Sequence, residues 1–166
     1  MFLCGEPGVP HKGWSLQDVI DLRIDEGREY GDYESCQFCG QEQIRYVHLV
    51  RHALYPETLR VGCICAEHMT EDYVNPRRIE GELRSRAIRR SRWPNLQAWR
   101  QSRKGNWYMN TKDGYNVGVF ETRDGQYMAW IDSRRGKIKY SSLQAAKIAI
   151  FDALERLEGG QKTRVV

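Results

Sequence analysis

Four cysteines arranged as two close pairs carry the clearest chemistry in this 166-residue sequence. Cys36 and Cys39 lie in the stretch CQFCG, and Cys63 and Cys65 lie in the stretch VGCICAEHM, which begins at residue 61. Small zinc sites usually take their four ligands as two such pairs, and thiolates are among the ligands that zinc prefers. The spacing therefore predicts one structural Zn²⁺ held by these four cysteines.

His68 leaves the second ligand pair open to other combinations. It follows Cys65 by three residues, so both side chains share one face if the segment is helical. Cys65 with His68 is therefore an alternative pair, and Cys63 with His68 is a third with a longer reach. In a fourth interpretation these cysteines are buried and bind nothing. Cys4 stands alone in the sequence and is expected to be a free thiol.

The elements that must position these residues are also visible in the sequence. Gly40 permits a tight turn after the first cysteine pair. Residues 43–62 hold two runs rich in β-forming residues around the turn signal ALYPE, which predicts a hairpin. A short helix from about residue 65 to 73 follows. This order resembles a treble-clef zinc finger over residues 36–73, a resemblance that implies a closed structural metal site.

The same resemblance admits a catalytic alternative. HNH-type nucleases share the treble-clef scaffold and place a histidine on the first strand of the hairpin. By that resemblance His48 or His52 would act as general base, and His68 would bind a second ion. His48 alternates with Tyr46 and Val50, however, which is also typical of a histidine that packs within a sheet. We expect a non-enzymatic protein, with an HNH-like nuclease as the alternative.

The segment from residue 77 to 104 is strongly basic, with ten basic residues against two acidic ones. This net charge of +8 exceeds what solubility requires, and arginine suits bidentate phosphate contacts. We predict nucleic-acid binding, with DNA favoured over RNA. The alternative is docking onto an acidic protein or onto the chain's own acidic N-terminal segment. The basic residues are Arg77, Arg78, Arg84, Arg86, Arg89, Arg90, Arg92, Arg100, Arg103 and Lys104.

The sequence predicts two helices in this basic connector. The first begins at Asn75 and ends before Pro94, and the second covers about residues 95–105. Replacing Arg89 and Arg90 together is expected to weaken binding to all nucleic-acid sequences and to lower its salt dependence. Three tryptophans between the charges either stack on bases or anchor the helices. They are Trp93, Trp99 and Trp107.

Residues 106–140 alternate in polarity with a period of two and contain Asp-Gly turn signals, which predicts an antiparallel three-stranded sheet. A helix over residues 143–158 follows, ended by Gly159. The pattern includes Gly-Val at Gly118 and Val119 and a helix rich in small residues. It is similar to the DNA-binding domains of the plant Apetala/ethylene-response type and to the arm-binding domains of tyrosine integrases.

In that family the exposed sheet face enters the DNA major groove and uses arginine and tryptophan side chains. Phe120 stands here where the family has an arginine. The alternative function of this module is protein contact, which would make the chain a regulator that binds another protein. The whole chain also resembles small proteins of bacteria and phages, which implies no particular function. Carried over by position, the groove face comprises Arg123, Gln126, Met128, Trp130, Lys137 and Lys139.

The sequence as a whole predicts an α+β protein of three segments and a tail. An N-terminal helix within residues 14–30 and the zinc domain occupy residues 1–74, and the basic connector occupies residues 75–104. The sheet-plus-helix module covers residues 105–160, and a flexible tail covers residues 161–166.

Composition excludes some classes of protein and of partner. No apolar run reaches the roughly 20 residues that a membrane-spanning helix requires. The N-terminus lacks the pattern of a secretory signal, so we expect a reducing, cytoplasmic location. Close cysteine pairs in such a compartment are typical of metal sites rather than disulfides. Neither a membrane nor a small-molecule substrate is expected.

Overall fold

The computed structural model describes residues 2–162, with side chains described for residues 2–159. Within these residues the fold is mixed α and β, with three α-helices and two antiparallel sheets. The chain forms two compact units, Met1–Ala87 and Ile88–Val166. The elements are β1 (Ser15–Asp21), β2 (Tyr46–Arg51), β3 (Leu59–Val61), α1 (Cys63–Thr70), α2 (Asn75–Arg92), β4 (Arg100–Gln101), β5 (Trp107–Asn110), β6 (Asn116–Glu121), β7 (Tyr127–Ile131), β8 (Arg134–Arg135) and α3 (Leu143–Lys162).

The first unit is built on a three-stranded sheet with the order β1-β2-β3. The hairpin predicted from residues 43–62 is confirmed as the antiparallel pair β2 and β3. Side chains from these strands pack with α1 in a core that includes Val50, Leu59, Val61 and Met69, each 1% exposed or less. The sheet thus supplies the rigid support on which the helix carrying Cys65 lies.

The predicted helix within residues 14–30 is wrong, because this segment forms strand β1. A bulge between Leu16 and Asp18 adds one residue to the strand. The extra residue turns Leu16 and Val19 toward the same sheet face, where they pair with Val50 and His48, although residues three apart in a regular strand face opposite sides. The three-residue spacing of these apolar side chains is also typical of a helix, and this is why the sequence predicted one. At the strand end, the buried Asp21 carboxylate accepts two hydrogen bonds from the Arg45 guanidinium, at 2.7 and 2.9 Å.

The helix predicted from Asn75 is confirmed as α2, which ends at Arg92. The second helix predicted in the connector, over residues 95–105, is wrong. Trp99 is 6% exposed, and its indole N–H donates to the carbonyl of Trp93 at 2.9 Å. Arg100 and Gln101 then pair with β5 as the edge strand β4, so tertiary packing overrides the helical propensity of the segment.

The second unit contains a five-stranded sheet with the order β4-β5-β6-β7-β8. Its central strands β5, β6 and β7 confirm the predicted antiparallel arrangement, and two short edge strands extend it. The predicted C-terminal helix is confirmed as α3, which packs on one sheet face and runs through Gly159 to Lys162. The predicted tail therefore begins in helix, and its residues 163–166 lie outside the described part of the chain.

The connector tryptophans belong largely to the core of the second unit. Trp99 and the half-buried Trp93 pack edge to face, with ring centroids 6.0 Å apart. The Nζ atom of Lys147 donates to the carbonyl of Pro94 at 3.0 Å and lies over the rings of Trp99 and Trp107. Burial lowers the pKa of Lys147. These contacts favour anchoring over base stacking. Among the described residues, no helix combines the length and apolar character needed to cross a membrane.

Candidate metal centre and nucleic-acid interface

The first cysteine pair lies in a tight knuckle that is tied to strand β3. The amide of Gly40 donates to the carbonyl of Cys36 at 2.8 Å, and Gly40 has a φ of +77°, in the region that glycine favours. The amide of Gln37 donates to the carbonyl of Arg60 at 3.0 Å. Because β3 leads directly into α1, this bond brings the knuckle beside the first turn of that helix.

The structure brings together the sulfur atoms of Cys36, Cys39 and Cys65, which lie within 4.8 Å of one another. Cys36 is buried, Cys65 is half-buried and Cys39 is exposed. The pKa of Cys36 is lowered to about 5, chiefly by a hydrogen bond from the Cys65 thiol, with burial opposing and backbone amides assisting. The same hydrogen bond raises the pKa of Cys65, as does burial. Three sulfur atoms this close to one another form a donor set that can hold a metal ion.

The predicted fourth ligand, Cys63, does not join this group. Strand β3 ends at Val61 and Gly62 is the N-cap, so α1 already begins at Cys63 rather than near Cys65. Residues two positions apart in a helix, such as Cys63 and Cys65, are separated by about 200° around its axis, so their side chains point to different sides. Cys63 instead lies with His48 and Glu80, and these three donor atoms also lie within 4.8 Å of one another.

The other two candidates near the site have different surroundings. His68 is exposed, its Nδ1 atom lies 3.3 Å from the Tyr73 hydroxyl, and it is not part of the sulfur group. Cys4 is exposed and also lies outside that group, but its amide donates to the carbonyl of Phe38 at 2.9 Å. The backbone of Cys4 is thus hydrogen-bonded to the knuckle, between its two cysteines.

Five of the ten predicted phosphate-binding residues of the connector, all of them arginines, contact acidic side chains at 2.7–2.9 Å. These contacts reduce the positive charge that the segment presents. Arg86 is half-buried, whereas Arg92, Arg100, Arg103 and Lys104 are exposed. The pairs are Arg77 with Glu67, Arg78 with Glu82, Arg84 with Glu80, Arg89 with Glu155 and Arg90 with Asp152.

The face of the five-stranded sheet that points away from α3 carries a cross-strand row of aromatic and basic residues. In register, Arg100 pairs with Tyr108, Tyr108 with Gly118, Gly118 with Trp130, and Trp130 with Arg135. Residues paired in this way point to the same face of a sheet. Both arginines are exposed, and the two aromatic residues are half-buried. We call the side of the sheet that carries this row the open face.

Trp130 lies flat across the open face because β6 has a glycine beneath it. A Cβ atom on Gly118 would lie 2.0 Å from the Trp130 ring. The indole N–H donates to the side chain of Asn116 at 3.2 Å, and the ring lies 6.2 Å from that of Phe120. The Arg135 guanidinium lies 5.5 Å from the centre of the Phe120 ring. Arginine and aromatic surface are therefore adjacent on this face.

The remaining predicted groove residues are distributed around the open face. Arg123, Gln126 and Lys137 are exposed, and Met128 is half-buried on the strand that carries Trp130. Lys139 bonds the Asp124 carboxylate at 2.6 Å. Arg135 and Tyr108 were not identified from the sequence. Alternation along β5 is the signal that leads to Tyr108, because its neighbours Trp107 and Met109 face the core, whereas Arg135 depends on the two-residue strand β8.

Comparison with protein-family models, curated proteins and solved structures finds no match to this chain.

Proposed function

We propose that this chain is a non-enzymatic, zinc-containing nucleic-acid-binding protein of a reducing, cytoplasmic setting. Zn²⁺ stabilises the first unit, and the open face of the second unit binds DNA. The observation that carries the proposal is the row of two exposed arginines and two half-buried aromatic residues across an uncovered sheet face. Phosphate contacts from arginine and stacking or groove contacts from aromatic residues are the usual components of nucleic-acid binding.

The distribution of charge between the two units supports this assignment. Residues 88–166 contain sixteen lysines and arginines against seven aspartates and glutamates, a net charge of +9. Residues 1–87 contain ten against fifteen, a net charge of −5. A phosphate backbone is therefore attracted to the unit that carries the open face and repelled by the other.

DNA fits the open face better than double-stranded RNA does. The major groove of B-form DNA is wide enough to admit a β-ribbon or a helix, whereas that of A-form RNA is too deep and narrow for side chains to read. Asp132 lies at the edge of the face, and its carboxylate accepts a hydrogen bond from the backbone amide of Asn116 at 2.9 Å. Phe120 occupies the position at which the similar family has an arginine, and we therefore assign a general affinity for DNA with modest sequence preference.

Zinc is the metal that the sulfur group favours. Soft thiolate ligands select zinc over the hard cations Mg²⁺ and Ca²⁺, and the amides near Cys36 stabilise a thiolate there. The order of knuckle, β2–β3 hairpin and α1 supports a treble-clef-like arrangement. Structural zinc sites are four-coordinate, so one further ligand is required. We assign the fourth position to Cys4, whose amide is bonded to the knuckle.

Cys4→Ser is expected to lower the affinity for Zn²⁺ by at least about tenfold, because structural sites depend on four protein ligands. His68→Asn is expected to leave the affinity unchanged, since His68 contacts Tyr73 instead. Competition with a chromophoric chelator measures both. Equal affinities for wild type and Cys4→Ser, with a loss in His68→Asn, would assign the fourth position to the histidine.

Replacing Arg89 and Arg90 together with alanine is expected to change DNA affinity less than replacing Arg100 and Arg135 together. The first pair contacts Glu155 and Asp152, whereas the second pair is exposed on the open face. Each lost phosphate contact lowers the slope of log affinity against log salt by about one. Fluorescence anisotropy at several salt concentrations gives these slopes. A larger loss of slope in the first variant would move the phosphate contacts to α2.

The positions of the histidines favour this function over an HNH-like nuclease. His48 is fully buried, and its Nε2 atom lies 3.2 Å from the carbonyl of Pro76. The Nδ1 atom of His52 accepts the amide of Leu54 at 3.0 Å, within a turn. A general base must reach the proton that it removes, and the full burial of His48 keeps its ring away from any substrate.

A further inference from the structure

A second group of metal-binding side chains lies in the first unit, apart from the three cysteines. It comprises a ring nitrogen of His48, the sulfur of Cys63 and a carboxylate oxygen of Glu80, all within 4.8 Å of one another. The three residues come from β2, from the first position of α1 and from α2. Three separate elements thus converge on one point, with one nitrogen, one sulfur and one oxygen donor.

The hydrogen bonding of this group is incomplete at His48. The His48 side chain is 0% exposed, and its Nδ1 atom is buried with no hydrogen-bond partner among the described residues. A buried polar atom without a partner is uncommon in a native fold. Glu80 uses its Oε1 atom to bond Arg84 at 2.8 Å, whereas its Oε2 atom lies 3.8 Å from the Nε2 atom of His48, beyond hydrogen-bond distance. Nε2 also lies 3.2 Å from the carbonyl of Pro76, to which a ring nitrogen can only donate, so the free lone pair of the neutral ring is on Nδ1.

The group is also accessible from solvent on one side. Cys63 and Glu80 line a cleft of about 620 Å³, whereas His48 is fully buried and is not part of its wall. A metal ion can enter through this cleft and meet two ligands before the third.

We propose that His48, Cys63 and Glu80 form a second zinc site with an exchangeable fourth position that opens into the cleft. Nitrogen, thiolate and carboxylate are the three ligand types that zinc accepts, and sites with three protein ligands leave one position for water or another small ligand. The proposal is independent of the three-cysteine site, which shares no ligand with it. It also gives Cys63 a role that its predicted place among the four cysteines does not.

Zinc content per chain tests the proposal, measured by mass spectrometry on the tag-free full chain. We expect two zinc ions in the wild type and one in both Glu80→Gln and Cys63→Ser. Glu82→Gln is the matched control, because Glu82 lies on the same helix, is exposed and bonds Arg78; it should retain two. Glu80→Gln conserves size, so it remains informative if Cys63→Ser fails to fold.

The kinetics of zinc release provide a second readout. With excess chromophoric chelator, the wild type should release zinc in two phases, the faster one from the site that opens into the cleft. Glu80→Gln should lack the fast phase, and Glu82→Gln should keep it. One zinc per chain in the wild type, unaffected by Glu80→Gln and Cys63→Ser, would overturn the second site. If Cys39→Ser still removed that zinc, the proposed three-cysteine site would stand.

Discussion

Trp130→Ala combined with Arg135→Ala is expected to reduce affinity for duplex DNA by about thirtyfold or more. The two residues are paired across β7 and β8 and supply the largest aromatic surface and an exposed guanidinium of the open face. Aromatic stacking and bidentate base contacts are each worth about 1–3 kcal/mol, and about 1.4 kcal/mol corresponds to a tenfold change in affinity. Fluorescence anisotropy with a labelled duplex measures the change.

Two further variants separate binding from folding in this experiment. Arg134 lies on the same short strand as Arg135 but pairs with Ile131, on the side of the sheet that α3 covers. Arg134→Ala therefore removes an equal charge from the opposite face and should leave most of the affinity. Trp130→Phe keeps an aromatic ring and should lose less affinity than alanine. Equal losses for Arg134→Ala and Arg135→Ala would show general electrostatic attraction without a defined face.

Removal of zinc is expected to unfold the first unit while the second unit keeps its structure. Apparent free energies of zinc binding in zinc-finger peptides are about 10–16 kcal/mol, which is comparable to the total stability of about 5–15 kcal/mol of an ordinary domain. Cys39→Ser is the variant of choice, because Cys39 is exposed and its replacement costs little packing. Hydrogen exchange followed by mass spectrometry reports on each unit separately.

The expected pattern is a loss of amide protection in β1, β2, β3 and α1, with protection retained in β5–β7 and α3. In the wild type, dialysis against a chelator should produce the same pattern, and Zn²⁺ should reverse it where Mg²⁺ does not. Retained protection in β2 and α1 after complete removal of zinc would contradict a structural role of the metal.

The sequence was sufficient where local chemistry decides the structure. The Cys36–Cys39 spacing, the hairpin signals and the polarity pattern of residues 106–140 depend on neighbouring residues, and the knuckle and the strands β5–β7 appear as expected. The start of α1 could not be located as precisely. The helix begins at Cys63, two residues before the predicted start. The side chain of Cys63 therefore points away from that of Cys65, because each helical residue rotates by about 100°.

The other differences come from contacts between residues far apart in the chain. Glu80 meets His48 only because α2 is positioned beside β2, and this pair lies 32 residues apart in the sequence. The charge of the connector is reduced by Glu155 and Asp152, which lie more than sixty residues further along the chain. Charge counting within one segment cannot include such partners, so it overestimated the net positive charge that the connector presents.

The most direct test of DNA binding by the open face is an NMR titration of the ¹⁵N-tryptophan-labelled protein with a short DNA duplex. The chain has five tryptophans, and therefore five indole N–H signals that report on separate places. Trp14 and Trp99 donate their indole N–H groups to backbone carbonyls in the two cores, and Trp107 packs against the core of the second unit. We predict that the Trp130 signal shifts most strongly and saturates with DNA concentration. A Trp130 signal that stays in place while DNA is bound would contradict the account.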